Sequence, residues 1–248
     1  FMNITAITHQ GFHRNHNEDY VQYVYNQTNQ LLMVACDGMG GHNAGEVAST
    51  IACNSLIESF KATNLITKDQ AKEWLRVQIN DVNELIFKRS QSNDDERGMG
   101  TTLCAAIVYH DEVWVANIGD TRAYMISQDK IHQLTYDHTF VGHLMRSGEL
   151  TDDEARQHPQ RNILTKSVGT SRLIYPDIMK YSTKYKDFIL LCTDGLTDEL
   201  TDDEIKSITN QSNDVHQAAE QLIELALNRG ASDNLSIILL DLKAGDLE

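Results

Sequence analysis

Asp37 and Asp194 each close an apolar run and are each followed by glycine, in Leu31-Leu32-Met33-Val34-Ala35-Cys36-Asp37-Gly38 and in Phe188-Ile189-Leu190-Leu191-Cys192-Thr193-Asp194-Gly195. Asp19, Asp120 and Asp233 stand likewise at the edge of strand-like runs, in Asn17-Glu18-Asp19, Gly119-Asp120-Thr121-Arg122 and Ser232-Asp233-Asn234. Carboxylates delivered to one place by several strands repel one another and raise each other's pKa, a cost that bound cations remove. Oxygen ligands with no Cys and few His favour Mg²⁺ or Mn²⁺ over zinc. Two such ions sharing carboxylates can activate a water and clamp the oxygens of a phosphoryl group. Arg14 lies in the polar stretch Gly11 to Tyr20 and carries the planar fork that grips phosphate bidentately. Taken singly, each of these is a turn aspartate or a solvated arginine. Their recurrence in one context argues for a site.

The elements that must position them can be read from periodicity. Asn3 to Thr8, Val21 to Tyr25 and the run ending at Asp37 read as strands, the last two joined by a turn at Asn26-Gln27-Thr28-Asn29. Ala44 to Phe60 and Lys68 to Gln91 read as helices, the second with Leu75, Ile79, Val82 and Ile86 on one stripe. Four strand-like runs follow, Thr101 to Tyr109, Glu112 to Ile118, Arg122 to Ser127 and Lys130 to Leu134. Their connectors are too short for crossover helices, so they are expected to be antiparallel neighbours. Tyr136 to Gly169 reads as mostly polar and helical, with Thr151-Asp152-Asp153-Glu154 as a capping box. After further strands, including the one ending at Asp194, come a helix from about Asn213 to Asn228 and a final strand, Leu235 to Leu240. This order predicts sheets packed with helices outside, not a βαβ repeat.

Composition excludes several classes. The 248 residues contain two prolines and no low-complexity linker, which predicts one domain over 1–248. Phe1 precedes Met2, and Met2 is the expected native start. No apolar run approaches the ~20 residues of a membrane span, so a cytoplasmic location is expected. A net charge of −15, from 36 Asp and Glu against 21 Lys and Arg, disfavours nucleic acid and acidic membranes as partners. Cys36, Cys53, Cys104 and Cys192 sit in apolar runs without CxxC spacing and are expected to be reduced core residues.

Arg14-x-x-Asn17-Glu18-Asp19, Asp37-Gly38-Met39-Gly40-Gly41-His42, Gly98-Met99-Gly100-Thr101-Thr102, Gly119-Asp120-Thr121-Arg122, Asp137-His138, Asp194-Gly195 and Asp233-Asn234 occur in the order and context of the metal-dependent protein phosphatases of type 2C. The chain most closely resembles the bacterial serine/threonine members, and the resemblance spans nearly all of it. It implies an α+β fold in α-β-β-α layers, a central antiparallel β-sandwich flanked by helices, with metals in a cleft at one end. It implies Asp37 as the carboxylate bridging two Mn²⁺ or Mg²⁺ ions, the Gly38 carbonyl on one, and Asp194 and Asp233 on the other. Asp120, with Asp194, matches the place of a third ion in bacterial members. Glu18 and Asp19 match positions that hold metal-bound waters or touch an ion, and Asn234 would orient Asp233. Arg14 matches the phosphate-gripping arginine. Thr139 to Gly169 matches a variable flap where Arg161 could meet substrate. The implied reaction is hydrolysis of phosphoserine and phosphothreonine in proteins by a metal-activated water, without a phosphoenzyme, by a monomer that opposes a cognate serine/threonine kinase.

One departure touches the mechanism. Eukaryotic relatives carry a histidine after the bridging Asp-Gly as proposed general acid, and this chain has Met39, which cannot donate a proton. His42, His138 and a metal-bound water are the alternatives, with the opening of the following helix as the structural role for His42. Thr121 and Thr193 stand where the family often has Ser, which keeps the hydroxyl. A catalytically dead phosphoprotein binder and a hydrolase of another phosphoester are the rival readings. The complete carboxylate set argues against the first, and the lack of a Walker-type glycine loop against a nucleotide substrate in the second.

Overall fold

The computed structural model describes residues 3–184 and 187–242, so the expected start at Met2 lies outside the described residues. Leu31 to Cys36 is apolar at every position because both faces of its strand are buried. Leu31, Met33 and Ala35 pack into a core shared by two sheets, while Leu32, Val34 and Cys36 pack under helices. This two-sided burial makes the protein four layers deep, helix on sheet on sheet on helix.

Along the chain the strands are β1 (Asn3–His9), β2 (Asp19–Tyr25), β3 (Leu31–Met39), β4 (Gly100–Thr101), β5 (Leu103–Val108), β6 (Glu112–Ile118), β7 (Arg122–Ile126), β8 (Ile131–Gln133), β9 (Asp177–Ser182), β10 (Phe188–Cys192) and β11 (Leu235–Asp241). The helices are α1 (Ala44–Lys61), α2 (Lys68–Ser92), α3 (Phe140–Arg146), α4 (Asp152–Gln157), α5 (Asp194–Thr197), α6 (Asp202–Gln211) and α7 (Val215–Asn228). One sheet has the order β1-β11-β10-β7-β8, the other β2-β3-β5-β6-β9 with β4 added to β3, and every strand pair is antiparallel. α1 and α2 cover the second sheet, with Leu56, Phe60, Leu75 and Ile79 buried against it. α6 and α7 cover the first through Ile205, Val215, Leu222 and Ala226. The expected α+β sandwich is therefore the fold.

Several local expectations are corrected. The run 101–109 is interrupted at Thr102, which belongs to neither β4 nor β5. β6 and β7 are not neighbours: β6 pairs with β5 and β9, and β7 with β10 and β8. Gly119-Asp120-Thr121 instead carries the chain from one sheet to the other. A short connector can join two sheets at the end of a sandwich as readily as two strands within one sheet, and alternation does not distinguish the cases. The region 136–169 is not mostly helical, because α3 and α4 occupy only part of it and the rest is turns tied down by the bridges Thr139 to Leu164 and Thr101 to Val168. The capping box at Thr151 is present, and an equivalent box at Thr201 with Glu204 opens α6, a helix the periodicity reading passed over. Asp194 begins the short α5 rather than ending a strand.

The crossing at Gly119 depends on glycine. Its φ is +107°, and a Cβ there would lie 2.6 Å from Thr102 Cγ2. Gly119→Ala therefore combines backbone strain with a clash and should lower unfolding free energy by about 1–3 kcal/mol, read from the urea midpoint. An unshifted midpoint would show that the crossing accommodates a side chain.

Candidate metal centre

The alternation that sends Leu31, Met33 and Ala35 inward places Asp37 on the same, inter-sheet side of β3. In the β2–β3 ladder Asp19 is the register partner of Asp37. The two sheets are tied together behind them: Asp19 Oδ2 accepts from Ser236 Oγ on β11 at 2.7 Å and from Thr193 Oγ1 after β10 at 2.7 Å. The Asp37 amide donates to Thr102 Oγ1 at 2.9 Å, and that hydroxyl shares a 2.6 Å hydrogen bond with Thr121 Oγ1. This links the Asp37 strand to the turn that carries Asp120. The Gly38 amide donates to the Glu18 carbonyl at 2.9 Å, and a Cβ on Gly38 would fall 1.8 Å from the Gly45 carbonyl oxygen. The end of β3 and the first turn of α1 thus meet backbone to backbone, which only glycine allows.

Asn234 organises the other wall. Its Oδ1 accepts from the Glu18 amide at 2.9 Å, and its Nδ2 donates to the carbonyls of Gln10 and His16 at 2.7 and 2.8 Å. One buried amide therefore fastens the loop carrying Arg14 and Glu18 to the start of β11, beside Asp233. Arg14 Nε lies 3.3 Å from Asp233 Oδ1 with about half of its side chain exposed, at the rim of the cleft.

Arg14, Glu18, Asp37, Gly38, Asp120, Asp194, Asp233 and Asn234 line one cavity of about 750 Å³. Asp19 stands buried behind Asp37. Burial, then the charges of Asp19, Asp194, Asp120 and Asp233, push the Asp37 carboxyl well above the usual range. Asp194 is pushed up in the same way by burial and by Asp120, Asp198, Asp233 and Asp19. Asp120 is raised to about 7 by burial and Asp137, against the Arg122 guanidinium. Asp19 is raised to about 6 by burial, against the hydroxyls of Ser236 and Thr193. Burial also raises Glu18.

The donor set fits a hard divalent cation. Two buried carboxylate oxygens, Asp19 Oδ1 and Asp194 Oδ1, have no hydrogen-bond partner, a costly state that a cation relieves. Among the described residues no three acidic, Cys or His side chains close on a single point. The carboxylates ring an open cavity instead, which suits ions that keep part of their water shell.

The structure separates the remaining candidates from this ring. His42 is exposed, has a left-handed backbone with φ +52°, and is absent from the cavity wall, because the Gly40-Gly41 turn has already left the cleft when the chain reaches it. His138 is buried: its Nδ1 accepts from the Gly119 amide at 2.9 Å, so its Nε2–H donates to Asp177 at 2.8 Å, which makes it a brace for the Asp120 turn. Met39 lines the cavity, and no histidine does among the described residues. Arg161 lies not in the main cavity but in an adjoining one of about 250 Å³ that shares Asp120, Asp194 and Asn162 with it.

Asp198 and the bracing role of Thr102 are not among the sequence-based expectations. Asp198 follows Asp194 by one helical turn, an i, i+4 spacing that could have flagged it, and lines the second cavity with Arg161. The crowding of protein around it raises its carboxyl, although its outer edge stays exposed, and Arg161 opposes that rise.

Residues 13–239 match the family described as Protein phosphatase 2C. The serine/threonine phosphatase stp of Listeria monocytogenes is 37% identical over 235 residues, covering 94% of this chain and 93% of that protein. The crystal structure of serine/threonine phosphatase Stp1 from Staphylococcus aureus superposes with a TM-score of 0.94 at 44% identity, covering 97% of this chain and 95% of that one. The catalytic domain of the serine/threonine phosphatase PstP, solved in complex with two manganese ions, superposes with a TM-score of 0.85 at 30% identity over 97% of each chain. With the layered sandwich and its acidic cleft, these matches establish that the chain belongs to the protein phosphatase 2C family and is a metal-dependent serine/threonine phosphatase.

Proposed function

We propose that the acidic cavity binds two Mn²⁺ or Mg²⁺ ions, with a place for a third, and there hydrolyses phosphoserine and phosphothreonine in proteins phosphorylated by a cognate serine/threonine kinase. Asp37 would lie between the two ions, with the Gly38 carbonyl on one side and Asp194 and Asp233 on the other. Asp120 and Asp194 would hold the third, and Glu18 and Asp19 would complete the surround. The observation that carries the reading is the pair of buried, unpartnered oxygens on Asp19 and Asp194 inside a ring of like charges. When bound, the ions supply Lewis acidity toward a water and toward the phosphoryl oxygens.

The chain's own residues do the rest. Arg14 sits at the rim, where exchanging Asp233 for a phosphate gives it a bidentate partner. Asn234 keeps the Arg14 loop and Asp233 in register. Arg161, which lines the second cavity, would meet the protein around the phosphorylated residue. Among the described residues no histidine lines the cavity to protonate the leaving oxygen, so that proton would come from another donor or from solvent.

Asp194→Ala should lower Mn²⁺-dependent hydrolysis of a phosphothreonine peptide by about a thousandfold, about 4 kcal/mol at the transition state, while leaving cooperative unfolding intact. Undiminished turnover would remove the metal assignment. His42→Ala should change turnover by less than about threefold, and equally for an aryl phosphate and for phosphothreonine. A selective loss on the poorer leaving group would restore His42 as general acid.

The raised carboxyls also make a stability prediction. The folded values of about 6 for Asp19 and about 7 for Asp120 lie above the ~3.9 of an unfolded Asp, so the stability they contribute is present below about pH 4 and is lost as pH rises through 6 to 7. Chelator-treated protein should therefore melt at a higher temperature near about pH 5 than near about pH 8, and Mn²⁺ should close the gap. Asp120→Asn should narrow it without metal. A gap insensitive to both would contradict the electrostatic account.

A further inference from the structure

The segment 169–176, between the flap and β9, is an anchored strap with apolar side chains facing out. Asn83 of α2 holds its backbone: Oδ1 accepts from the Gly169 amide at 2.7 Å, and Nδ2 donates to the carbonyls of Ser171 and Arg172 at 3.0 and 3.3 Å. Ile174 is buried in the core beneath α2. Its neighbours Leu173 and Tyr175 consequently stand outward, 70% and 74% exposed. Two large apolar side chains held at the surface by a fixed backbone carry little ordering cost on binding, unlike the same residues on a loose loop.

The strap divides two cavities. Leu173, Ile174 and Tyr175 line both the acidic catalytic cavity and, on its other side, a groove of about 640 Å³ completed by Tyr136, Met179 and the exposed face of α2. The groove wall carries more cations than acids, whereas the catalytic cavity wall carries more acids than cations. Lys72, Arg76 and Arg146 border the groove in a chain of net charge −15; Arg76 is paired with Glu73 on α2, Arg146 lies 4.0 Å from Asp177, and Lys72 is in no ion pair among the described residues. Asp177 is itself engaged by His138, and Arg146 stacks over the Tyr136 ring at 3.9 Å. Contiguous exposed apolar surface rimmed by charge marks an interaction site. Its continuity with the catalytic cavity says which chain passes over it.

We propose that this groove is a docking subsite for the protein substrate, taking an apolar side chain on one side of the phosphorylated residue and acidic residues beyond it. The proposal rests on the catalytic cavity being the phosphoester site. A peptide whose phosphate reaches into that cavity must lay its flanking residues on the rim, and on this side the rim is the strap. An apolar residue fits between Leu173, Tyr175 and Tyr136. Acidic residues further along meet Lys72, and Arg76 by exchange for its Glu73 partner, on α2.

The test uses phosphothreonine peptides with Leu followed by two Glu on either side of the phosphorylated residue, paired with peptides carrying Ser and Lys instead. The unmodified Mn²⁺-loaded enzyme should favour the Leu-Glu peptide of one orientation by about tenfold or more in kcat/KM. Lys72→Glu with Arg76→Glu should cut that preference about fivefold through KM while leaving p-nitrophenyl phosphate hydrolysis unchanged. Leu173→Ser with Tyr175→Ser, both at exposed positions, should remove the preference for Leu over Ser. Equal turnover of the paired peptides in both orientations, or preferences unaltered by both double variants, would overturn the groove while leaving the phosphatase intact. Concentration-dependent self-association abolished by Leu173→Ser would also overturn it by assigning the strap to a second copy. No hydrolysis of any peptide or of the aryl phosphate by the unmodified loaded protein would overturn the cavity reading, and the groove with it.

Discussion

Mutual repulsion among buried carboxylates is the constraint on which the rest of this structure depends. Asp19 and Asp37 lie on paired strands of one sheet, Asp194 and Asp233 stand beside β10 and β11 of the other, Asp120 sits in the turn between them, and each raises or is raised by others. Left to electrostatics alone, that end of the sandwich would open. It is held by neutral hydrogen bonds between the sheets: Ser236 and Thr193 on Asp19, Thr102 on Thr121, and Asn234 on the loop that carries Glu18. Hydroxyl and amide groups are suited to this task because they fix backbone positions without adding charge to the cleft.

The fold therefore stores unfavourable electrostatics where a divalent cation would relieve it, and ion binding and local stability become linked quantities. A sandwich suits such a site because its two sheets contribute independently. Asp37 is delivered by one, Asp194 and Asp233 by the other, and Asp120 by the turn that crosses between them. Around this braced core the segments bordering the cavities are made differently. The flap from 139 to 169 has short helices and turns, whereas the strap that follows is pinned by Asn83.

The aspartates that line or back the acidic cavity are legible in the sequence because each has a local signature, the edge of a strand-like run beside a small or polar residue. So are α1, α2 and the strands, whose periodicity follows from the core they face. Where the deciding contact is remote, the sequence does not show it. The 136–169 segment has helical composition, but most of its backbone is satisfied by bridges to Thr101 and between Thr139 and Leu164. The β6–β7 turn looked like a hairpin because nothing local says which sheet receives the next strand. His42 looked like a replacement for the missing proton donor, since distance along the chain does not say which way a glycine turn leads.

By itself, the sequence determined the inventory: apolar strands buried on both faces, amphipathic helices to cover them, and acidic residues at strand edges whose crowding a cation would relieve. These are consequences of local pattern, and local pattern is written in adjacent residues. Only the tertiary structure decided which groups share the cleft and which do not. It brought Asp198 and Arg161 to a second cavity, turned His138 into a brace, left His42 in solvent, and set Leu173 and Tyr175 beside the cations of α2. Those outcomes depend on the stagger of two sheets and on backbone approaches such as Gly38 to Gly45, interactions between residues that no window of sequence contains.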